Sequence, residues 1–279
     1  MPNYGYHLAR LKGDLMRRFY RAFLPITARR PINPPRSVPV DVFSYSGESA
    51  LPEQVASIRS FLRYVGQPKS FTVVSDGSYS DRSVQLLEQL DPAVSVQLSM
   101  PPPPHHFPEK FRQYLGTHPT GKQLALIMSL PANGPALYVD SDVLFFPSAV
   151  DLIARAGEMG ISAFYLADCQ FSGDVRLLRG ASEEKQPVNT GFLLLFEKLD
   201  WSLGISRFLE LDGEPNFFTN QTITHLVMRE NDARPFDPVK YVLQLDDQFV
   251  YADRYAGAAL ALRHYVNPVR HKFWTSVNQ

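Results

Sequence analysis

Several features that would assign a protein to a special class are missing from this sequence. Cys169 is the one cysteine among 279 residues, which excludes an intrachain disulfide and fits a reducing compartment. No apolar run approaches the roughly 20 residues that span a bilayer, and no apolar segment follows the first charges as in a secretory signal. The formal net charge is zero. We therefore expect a globular protein in the cytoplasm.

The charges are distributed unevenly along the chain. Residues 1–36 contain eight arginines or lysines and one acid, Asp14, so that +7 lies there and −7 in the remainder. A stripe at helical spacing runs through residues 6–24 and consists of Leu8, Leu11, Leu15, Phe19 and Phe23. Such a helix either lies on an anionic membrane or packs on the domain with its arginines in solvent, and the short stripe favours packing.

Five prolines in residues 25–39 predict an extended linker. We therefore expect a basic helical extension with a Pro-rich linker at 1–37 and one α/β domain at 38–279. The predicted strands that open the domain are 38–45, 70–74 and 94–98, and the predicted helices between them are 52–65 and 81–90. This β-α-β-α-β succession indicates a mainly parallel sheet with helices on both faces.

The second part of the domain continues with helices, strands and one polar segment. The predicted helices are 109–130, 148–157, 202–211 and 219–229, and the predicted strands are 162–167 and 188–196. Residues 241–249 are predicted as a late strand or a turn. Residues 172–186 are polar and predict a mobile loop. Ligands of such sheets bind beyond the carboxyl ends of the strands. Tyr45, Asp76 and the pair Asp140 and Asp142 all follow such ends.

The pair Asp140 and Asp142, with Ser141 between them, stands between two apolar runs. Alternate residues of a strand share a face, so both carboxylates can converge on one ligand. Two adjacent carboxylates repel each other, and a hard cation such as Mg²⁺ or Mn²⁺ removes the repulsion. The alternative is that one aspartate caps a helix or a turn. The apolar flanks favour the cation site.

A second cluster of polar side chains lies near the end of the chain and contains His264, Arg270, His271 and Lys272. A histidine there can complete a metal site, because imidazole suits Mn²⁺ better than Mg²⁺. Arg270 and Lys272 suit phosphate oxygens. The alternative is a basic, solvated tail. Aromatic and apolar neighbours indicate instead that the segment is packed.

From about residue 38 onward, the sequence resembles glycosyltransferases of the GT-A fold, most closely the retaining family 8 typified by glycogenin and bacterial galactosyltransferases. Residues 138–144 look like the metal-binding Asp-x-Asp strand of that family, and residues 188–195 look like its Asn-x-Gly strand. Residues 218–222 lie where the family has Asp-Gln-Asp, and residues 264–274 look like its closing His-x-x-Gly-x-x-Lys-Pro-Trp.

The resemblance implies a donor site for a nucleotide-diphosphate sugar, with a UDP-sugar as the first expectation. Asp140, Asp142 and His264 would hold Mn²⁺ or Mg²⁺ against the diphosphate. Tyr45 and Asp76 would face the base and the ribose.

The resemblance also assigns the residues around the reacting sugar. Lys122 would lie over the donor, Asn189 would touch the sugar, and Gln221 would sit near the anomeric carbon. Lys272 or Arg270 would neutralise the leaving diphosphate.

The sequence departs from the family pattern at three places. Asn220 and Thr222 replace the two aspartates around the glutamine, so an acid that usually holds sugar hydroxyls is missing. Asn267 occupies the glycine position. His264 and Lys272 are two residues further apart than in the family, so the phosphate contact can move to Arg270 or His271.

We therefore expect a metal-dependent glycosyltransferase that moves a sugar to an acceptor hydroxyl with retention of configuration. The acceptor is an unknown glycan, protein or small molecule that would meet the loops at 101–120 and 172–186. A sugar nucleotidyltransferase is one alternative, although Ser44-Tyr-Ser-Gly47 lacks the basic residue of its phosphate loop. An inactive nucleotide-sugar-binding homologue is the other. We expect no nucleic-acid partner, and peripheral membrane contact stays open.

Overall fold

The structure is a computed structural model that describes residues 3–100, 102–131, 133–152 and 161–277. The strands it describes are β1 (Asp41–Ser46), β2 (Ser70–Ser75), β3 (Val94–Gln97), β4 (Ala136–Val139), β5 (Val143–Phe145), β6 (Ala163–Ala167), β7 (Val188–Leu195), β8 (Arg234–Pro235), β9 (Tyr241–Val242) and β10 (Leu262–His264). The helices are α1 (Tyr4–Ala22), α2 (Leu24–Arg29), α3 (Leu51–Tyr64), α4 (Asp81–Glu88), α5 (Glu109–Thr117), α6 (Pro119–Met128), α7 (Ser202–Leu209), α8 (Thr219–Glu230) and α9 (Phe273–Ser276).

Within the described residues, seven strands form the central sheet in the order β3-β2-β1-β4-β7-β6-β8. Strands β1 to β4 are parallel to one another, whereas β7 is antiparallel to both β4 and β6. All eight residues of β7 are buried, which explains why apolar residues outnumber polar ones in this strand, because both of its faces are covered. The predicted α/β fold with a mostly parallel sheet and flanking helices is confirmed.

A small second sheet joins the middle of the chain to its far end. Its order is β5-β10-β9, and His264 of β10 pairs with Val143 of β5 in an antiparallel ladder. Asp142 immediately precedes β5, so this pairing places the aspartate beside His264 although 122 residues separate them in sequence. The predicted strand or turn at 241–249 contains a shorter strand in the structure, where β9 ends at Val242.

The predicted helix 109–130 is two helices, α5 and α6. The break lies at His118, which is extended with φ −77° and ψ 135°, just before Pro119. A residue before proline avoids the helical region, and proline has no N–H to continue the ladder. The break therefore sets the start of α6, the helix that carries Lys122 and Gln123.

Helix α1 packs on the domain through a different face from the one that carries its apolar stripe. Ala9 and Gly13 are buried against the C-terminal segment, and a Cβ at Gly13 would overlap the backbone oxygen of His271. Leu11 and Phe19 of the stripe are 56% and 63% exposed. The favoured interpretation of a packed helix is correct, but the face was wrong, because small residues allow the closest backbone approach. No described helix combines the length and the apolar character needed to cross a bilayer.

Two segments that looked irregular are more ordered than expected. Helix α2 occupies residues 24–29, so the extended linker begins only at Arg30, and Pro25 is tolerated in the first helical turn. The loop 172–186, predicted to be mobile, is held by two contacts. Glu183 forms an ion pair with Arg207 at 2.7 Å, and the carbonyl oxygen of Lys185 accepts from Arg229 of α8 at 2.9 Å. The predicted helix 148–157 starts as a 3₁₀ turn at Pro147–Asp151, and its remainder lies outside the described residues.

Candidate donor and metal site

Asp140-Ser141-Asp142 forms a turn between β4 and β5 rather than the end of one continuous strand. The N–H of Asp140 donates to the carbonyl of Gly191 at 2.8 Å, and the carbonyl of Asp142 accepts from the N–H of Tyr265 at 2.9 Å. Backbone contacts to β7 and to the segment after β10 thus hold the turn. The two carboxylates converge because of this turn, and Ser141 between them is half-buried.

Asp140, Asp142 and His264 together form a candidate metal centre. One ligand atom from each residue lies within 4.8 Å of the others. Nε2 of His264 is 3.0 Å from Oδ1 of Asp142 and 3.6 Å from Oδ2 of Asp140. Two carboxylate oxygens and one imidazole nitrogen form a ligand set that suits a hard divalent cation, and the nitrogen favours Mn²⁺ over Mg²⁺.

The atoms behind these three ligands are held by further hydrogen bonds. Oδ1 of Asp140 accepts from Nε2 of Gln123 at 3.0 Å and from the hydroxyl of Tyr138 at 2.8 Å, which leaves Oδ2 towards His264. Oδ1 of Asn189 accepts from the N–H of Gly191 at 2.9 Å and lies 2.9 Å from Nδ1 of His264. Because this oxygen only accepts, Nδ1 donates to it, and Nε2 is the imidazole atom that faces the two carboxylates and would bind a metal. The residues therefore fit a bound cation.

The charges of the cluster perturb one another strongly. Burial alone would raise the pKa of Asp142, but His264 and Arg270 outweigh it and hold that pKa at about 2. Burial raises the pKa of Asp140, and the charge of Asp142 adds to the rise. Burial acts to lower the pKa of His264, but the two carboxylates shift it upward overall. The site is thus built around concentrated negative charge that attracts a cation.

Arg270 provides a second positive group at the same place. Its guanidinium donates to Oδ2 of Asp142, and its side chain is still 50% exposed. An exposed guanidinium next to a cation-binding carboxylate can also reach the phosphate oxygens of a ligand. The structure thus places Arg270 beside Asp142, and its contact with a phosphate stays a prediction.

Lys272, by contrast, does not reach the cluster. Its ammonium donates to the carbonyls of Val250 at 3.0 Å and Ala252 at 2.6 Å, lies 3.5 Å from Asp247, and the side chain is 1% exposed. Asp247 also binds the buried guanidinium of Arg263 at 2.7 Å. The expected diphosphate contact is therefore corrected: the extra two residues after His264 place Lys272 in a buried charge network that holds the C-terminal segment.

Asp168 is a site residue that the sequence interpretation missed. It follows the carboxyl end of β6, and its Oδ2 accepts from Nε2 of Gln221 at 3.1 Å and from Nδ2 of Asn189 at 3.4 Å. Burial raises the pKa of its carboxyl group. Because Asn189 also contacts His264, a chain of hydrogen bonds joins Gln221 to the candidate metal centre. The signal available in the sequence was its position at the end of a strand, the same signal that identified Asp76.

The sequence interpretation also missed Gln123, because the family resemblance assigns a role to its neighbour Lys122 instead. Besides Asp140, Gln123 contacts Asn220, whose Nδ2 donates to its Oε1 at 2.8 Å. Asn220, which replaces an acid of the family pattern, thus supports Asp140 through an amide. Lys122 is half-buried on α6, and among the described residues its ammonium makes no hydrogen bond or ion pair. Its contact with a donor stays a prediction.

Tyr45 and Asp76 form a separate pair at the same edge of the sheet. Burial, and then the charge of Asp76, raises the pKa of Tyr45 to about 12. Asp76 is exposed and accepts from Ser78, and a Cβ at Gly47 would overlap its carboxylate. Phe43 pairs with Tyr138, and Tyr45 and Asp140 each follow two residues later, so they lie at one level of neighbouring strands. Their contact with a base and a ribose stays a prediction.

Gly191 allows the cluster to sit directly on β7. A Cβ at this position would lie 2.7 Å from Oδ2 of Asp140 and 2.7 Å from Nδ1 of His264, and closer still to Cε1 of the ring. Any larger residue would therefore displace two of the three candidate ligands. This steric requirement gives a physical reason for glycine in the Asn-x-Gly strand.

The sheet order and the helices on both faces are those of the GT-A glycosyltransferase fold, which this chain has. A solved structure of the galactosyltransferase LgtC in complex with donor and acceptor sugar analogues is similar with a TM-score of 0.56 and 14% identity, over 86% of this chain and 95% of LgtC. Mouse xyloside xylosyltransferase 1 is similar with a TM-score of 0.53 and 11% identity, over 84% of this chain and 99% of that one.

A third similar structure belongs to a longer protein. The bifunctional glycosyltransferase WbbM gives a TM-score of 0.52 and 16% identity over 86% of this chain, which spans 48% of WbbM. No protein-family model matches the sequence. A comparison with curated proteins also finds no match. At these identities the similarity shows the fold, and the function has to be argued from the site.

Proposed function

We propose that this protein is a metal-dependent glycosyltransferase that moves a sugar from a nucleotide-diphosphate sugar, a UDP-sugar in the first instance, to an acceptor hydroxyl. One observation carries the proposal. A single chain of contacts links the cluster of Asp140, Asp142 and His264 through Asn189 to Asp168 and Gln221. A site for a cation and a site rich in sugar-binding groups thus share one residue at the carboxyl edge of a GT-A sheet.

The donor side of the site suits a diphosphate. Asp140, Asp142 and His264 would hold Mn²⁺ or Mg²⁺, which supplies positive charge to a leaving diphosphate when it is bound. Arg270 lies against Asp142 and is half exposed, so its remaining N–H groups would donate to phosphate oxygens. Tyr45 and Asp76 would contact the base and the ribose, and Lys122 would lie over the donor.

The sugar side of the site contains a carboxylate and two amides. Carboxylates and amides are the groups that bind sugar hydroxyls best, since they accept or donate two hydrogen bonds each. We propose that Asp168 supplies the acid that the altered Asn220-Gln221-Thr222 segment lacks. Gln221 is too weak a nucleophile for a stable covalent intermediate. A same-face displacement with retention, as in family 8, is therefore the proposed course.

The central experiment measures UDP binding by calorimetry with Mn²⁺ and with EDTA, followed by hydrolysis of UDP-sugars under the same conditions. Asp142→Asn should abolish Mn²⁺-dependent UDP binding while the unfolding transition stays cooperative. Asp81→Asn, an exposed change on α4, is the matched control. Unchanged binding by Asp142→Asn would refute the metal assignment. Pyrophosphate-dependent nucleotide exchange would identify a nucleotidyltransferase, and UDP binding without turnover would identify an inactive homologue.

Asp168 separates sugar recognition from nucleotide recognition. Asp168→Asn keeps the side-chain shape and an acceptor for Gln221, but it removes the charge that we propose for a sugar hydroxyl. UDP with Mn²⁺ should bind this variant as it binds the wild type, whereas UDP-sugar turnover should fall by about 10²-fold or more, the loss expected for a charged transition-state hydrogen bond. Wild-type turnover in this variant would contradict the assignment.

We also propose that residues 1–37 contact an anionic membrane while residues 38–279 carry the transferase, in the cytoplasm. The exposed stripe of α1 is flanked by cationic side chains, and this pattern is typical of helices that lie in a membrane interface. Flotation with anionic vesicles tests the contact. Leu11→Gln should lower the bound fraction, and Val239→Gln, a change at an exposed position outside this extension, should not. Equal flotation of both variants would contradict it.

A further inference from the structure

A large cavity lies under the N-terminal helices. It has a volume of about 810 Å³, is partly open to solvent and is lined by α1, α2, α3, β5 and the C-terminal segment. Leu144, Phe146 and Trp274 line its buried side, and Phe23 and Ile26 line its outer side. Sites for small molecules commonly measure about 300–1,000 Å³ and are mostly apolar. None of the residues assigned to the donor site lines this cavity, so it is separate from the proposed transferase chemistry.

The cavity carries positive charge without compensation. Arg30, Arg59 and Arg63 line it, and its described lining contains no aspartate or glutamate. Nη1 of Arg59 donates to the carbonyls of Thr27 at 2.8 Å and Arg30 at 2.9 Å, so the backbone fixes this guanidinium in place. Burial lowers the pKa of Arg59, and the charges of Arg30 and Arg63 act in the same direction. An anion bound among the three would relieve their mutual repulsion.

The outer edge of the cavity continues into an exposed apolar surface. Phe23 and Ile26 are 52% and 54% exposed, although both also line the cavity. They extend the outward stripe of α1, and contiguous exposed apolar surface of this kind marks contact with a membrane or a partner. Phe23 and Ile26 thus give the cavity an apolar outer edge through which a hydrocarbon chain can enter.

We propose that this cavity binds one anionic lipid drawn from a membrane, with its phosphate on Arg30, Arg59 and Arg63 and a hydrocarbon chain along the apolar walls. A free phosphate would leave the apolar walls in contact with water, and a neutral lipid would leave the three guanidinium groups without an anion. The two halves of the lining are satisfied together only by a molecule that combines a phosphate with a chain.

Three soluble probes test the site without a bilayer: dioctanoyl phosphatidic acid below its micelle concentration, dioctanoylglycerol and inorganic phosphate. Calorimetry on the full chain should show saturable binding of the phosphatidic acid at one site. Dioctanoylglycerol and inorganic phosphate should each bind at least about tenfold more weakly, because each lacks half of the recognised chemistry. Inorganic phosphate binding as tightly as the phosphatidic acid would overturn the proposal, and so would absence of phosphatidic acid binding.

Matched variants locate the site. Arg63→Gln should weaken binding of the phosphatidic acid by about tenfold, the loss typical of one charge-assisted hydrogen bond. Arg82→Gln, on the exposed side of α4, should leave it unchanged. Ile26→Asn tests the apolar wall, with Val239→Asn as its control. Wild-type affinity in both Arg63→Gln and Ile26→Asn would place the lipid elsewhere and refute the site. Mn²⁺-dependent UDP binding should stay unchanged in all four variants, so the lipid site and the transferase site fail or succeed separately.

Discussion

Replacing Gly191 by alanine should disable the metal centre while keeping the fold. The new Cβ would lie 2.7 Å from Oδ2 of Asp140 and from Nδ1 of His264, whereas ordinary contact begins at 3.4 Å. The carboxylate of Asp140 must therefore move by about 0.7 Å, and the imidazole by more because its Cε1 would lie closer still. Both shifts exceed three times the roughly 0.2 Å that metal–ligand distances tolerate. Disturbing a ligand's support typically weakens metal binding by about 10- to 100-fold, and we expect at least that loss here.

The assay follows the electron paramagnetic resonance signal of free Mn²⁺ as protein is added. Gly116→Ala is the matched control, because a Cβ at Gly116 has nothing within 4 Å. Overpacking at a buried position costs about 1–3 kcal/mol, so a cooperative thermal transition has to accompany the Gly191→Ala measurement. Wild-type Mn²⁺ affinity in a folded Gly191→Ala protein would refute the assignment of Asp140 and His264 as ligands.

Two further predictions concern the C-terminal segment. Arg270→Gln should weaken Mn²⁺-dependent UDP binding, measured by calorimetry, with little change in unfolding free energy. Lys272→Met should lower the unfolding free energy, measured by urea denaturation, by about 1–3 kcal/mol, since it removes the donor to the carbonyls of Val250 and Ala252 and leaves Asp247 with Arg263 alone. The reverse pattern would appear if the lysine bound the phosphate. Burial, Lys272 and Arg10 lower the pKa of His271 to about 4 despite the opposing charge of Asp247. Between about pH 6.5 and 4 the imidazole of His271 is protonated in the unfolded chain but not in the folded chain. The unfolding free energy should therefore fall as the pH drops through this range. If the unfolding free energy of His271→Gln depended on pH as steeply as that of the wild type, this expectation would be contradicted.

The parts of the fold that periodicity and strand ends specify were predictable. The first three strands and their helices follow from short apolar runs and helical spacing, and Asp76 and Asp140 could be placed at one edge because parallel strands end together. The break between α5 and α6 could have been predicted from Pro119. The sequence interpretation gave one helix over 109–130 because the apolar spacing continues on both sides of this proline.

The rest depended on contacts that no local pattern contains. Asp168 contacts Gln221 and Asn189 because β6 pairs with β7. The order of strands in a sheet cannot be predicted from the sequence of a single strand. Gln123 rather than Lys122 contacts Asp140 because α6 begins anew after the break. Helix α1 carries the clearest apolar stripe of the sequence and still turns it to solvent, because the close approach at Gly13 decided which face packs.

The pairing of β5 with β10 also sets the moment in biosynthesis at which the site comes into being. A nascent chain that has reached β7 already contains Asp140 and Asp142, yet it lacks His264, the third candidate ligand, and the guanidinium of Arg270 that offsets the charge of Asp142. Until β10 has been translated and has paired, the two carboxylates repel each other without relief. The candidate metal cluster is therefore complete only after β10 has emerged from the ribosome, and a chain that stops before β10 would lack one of its three ligands.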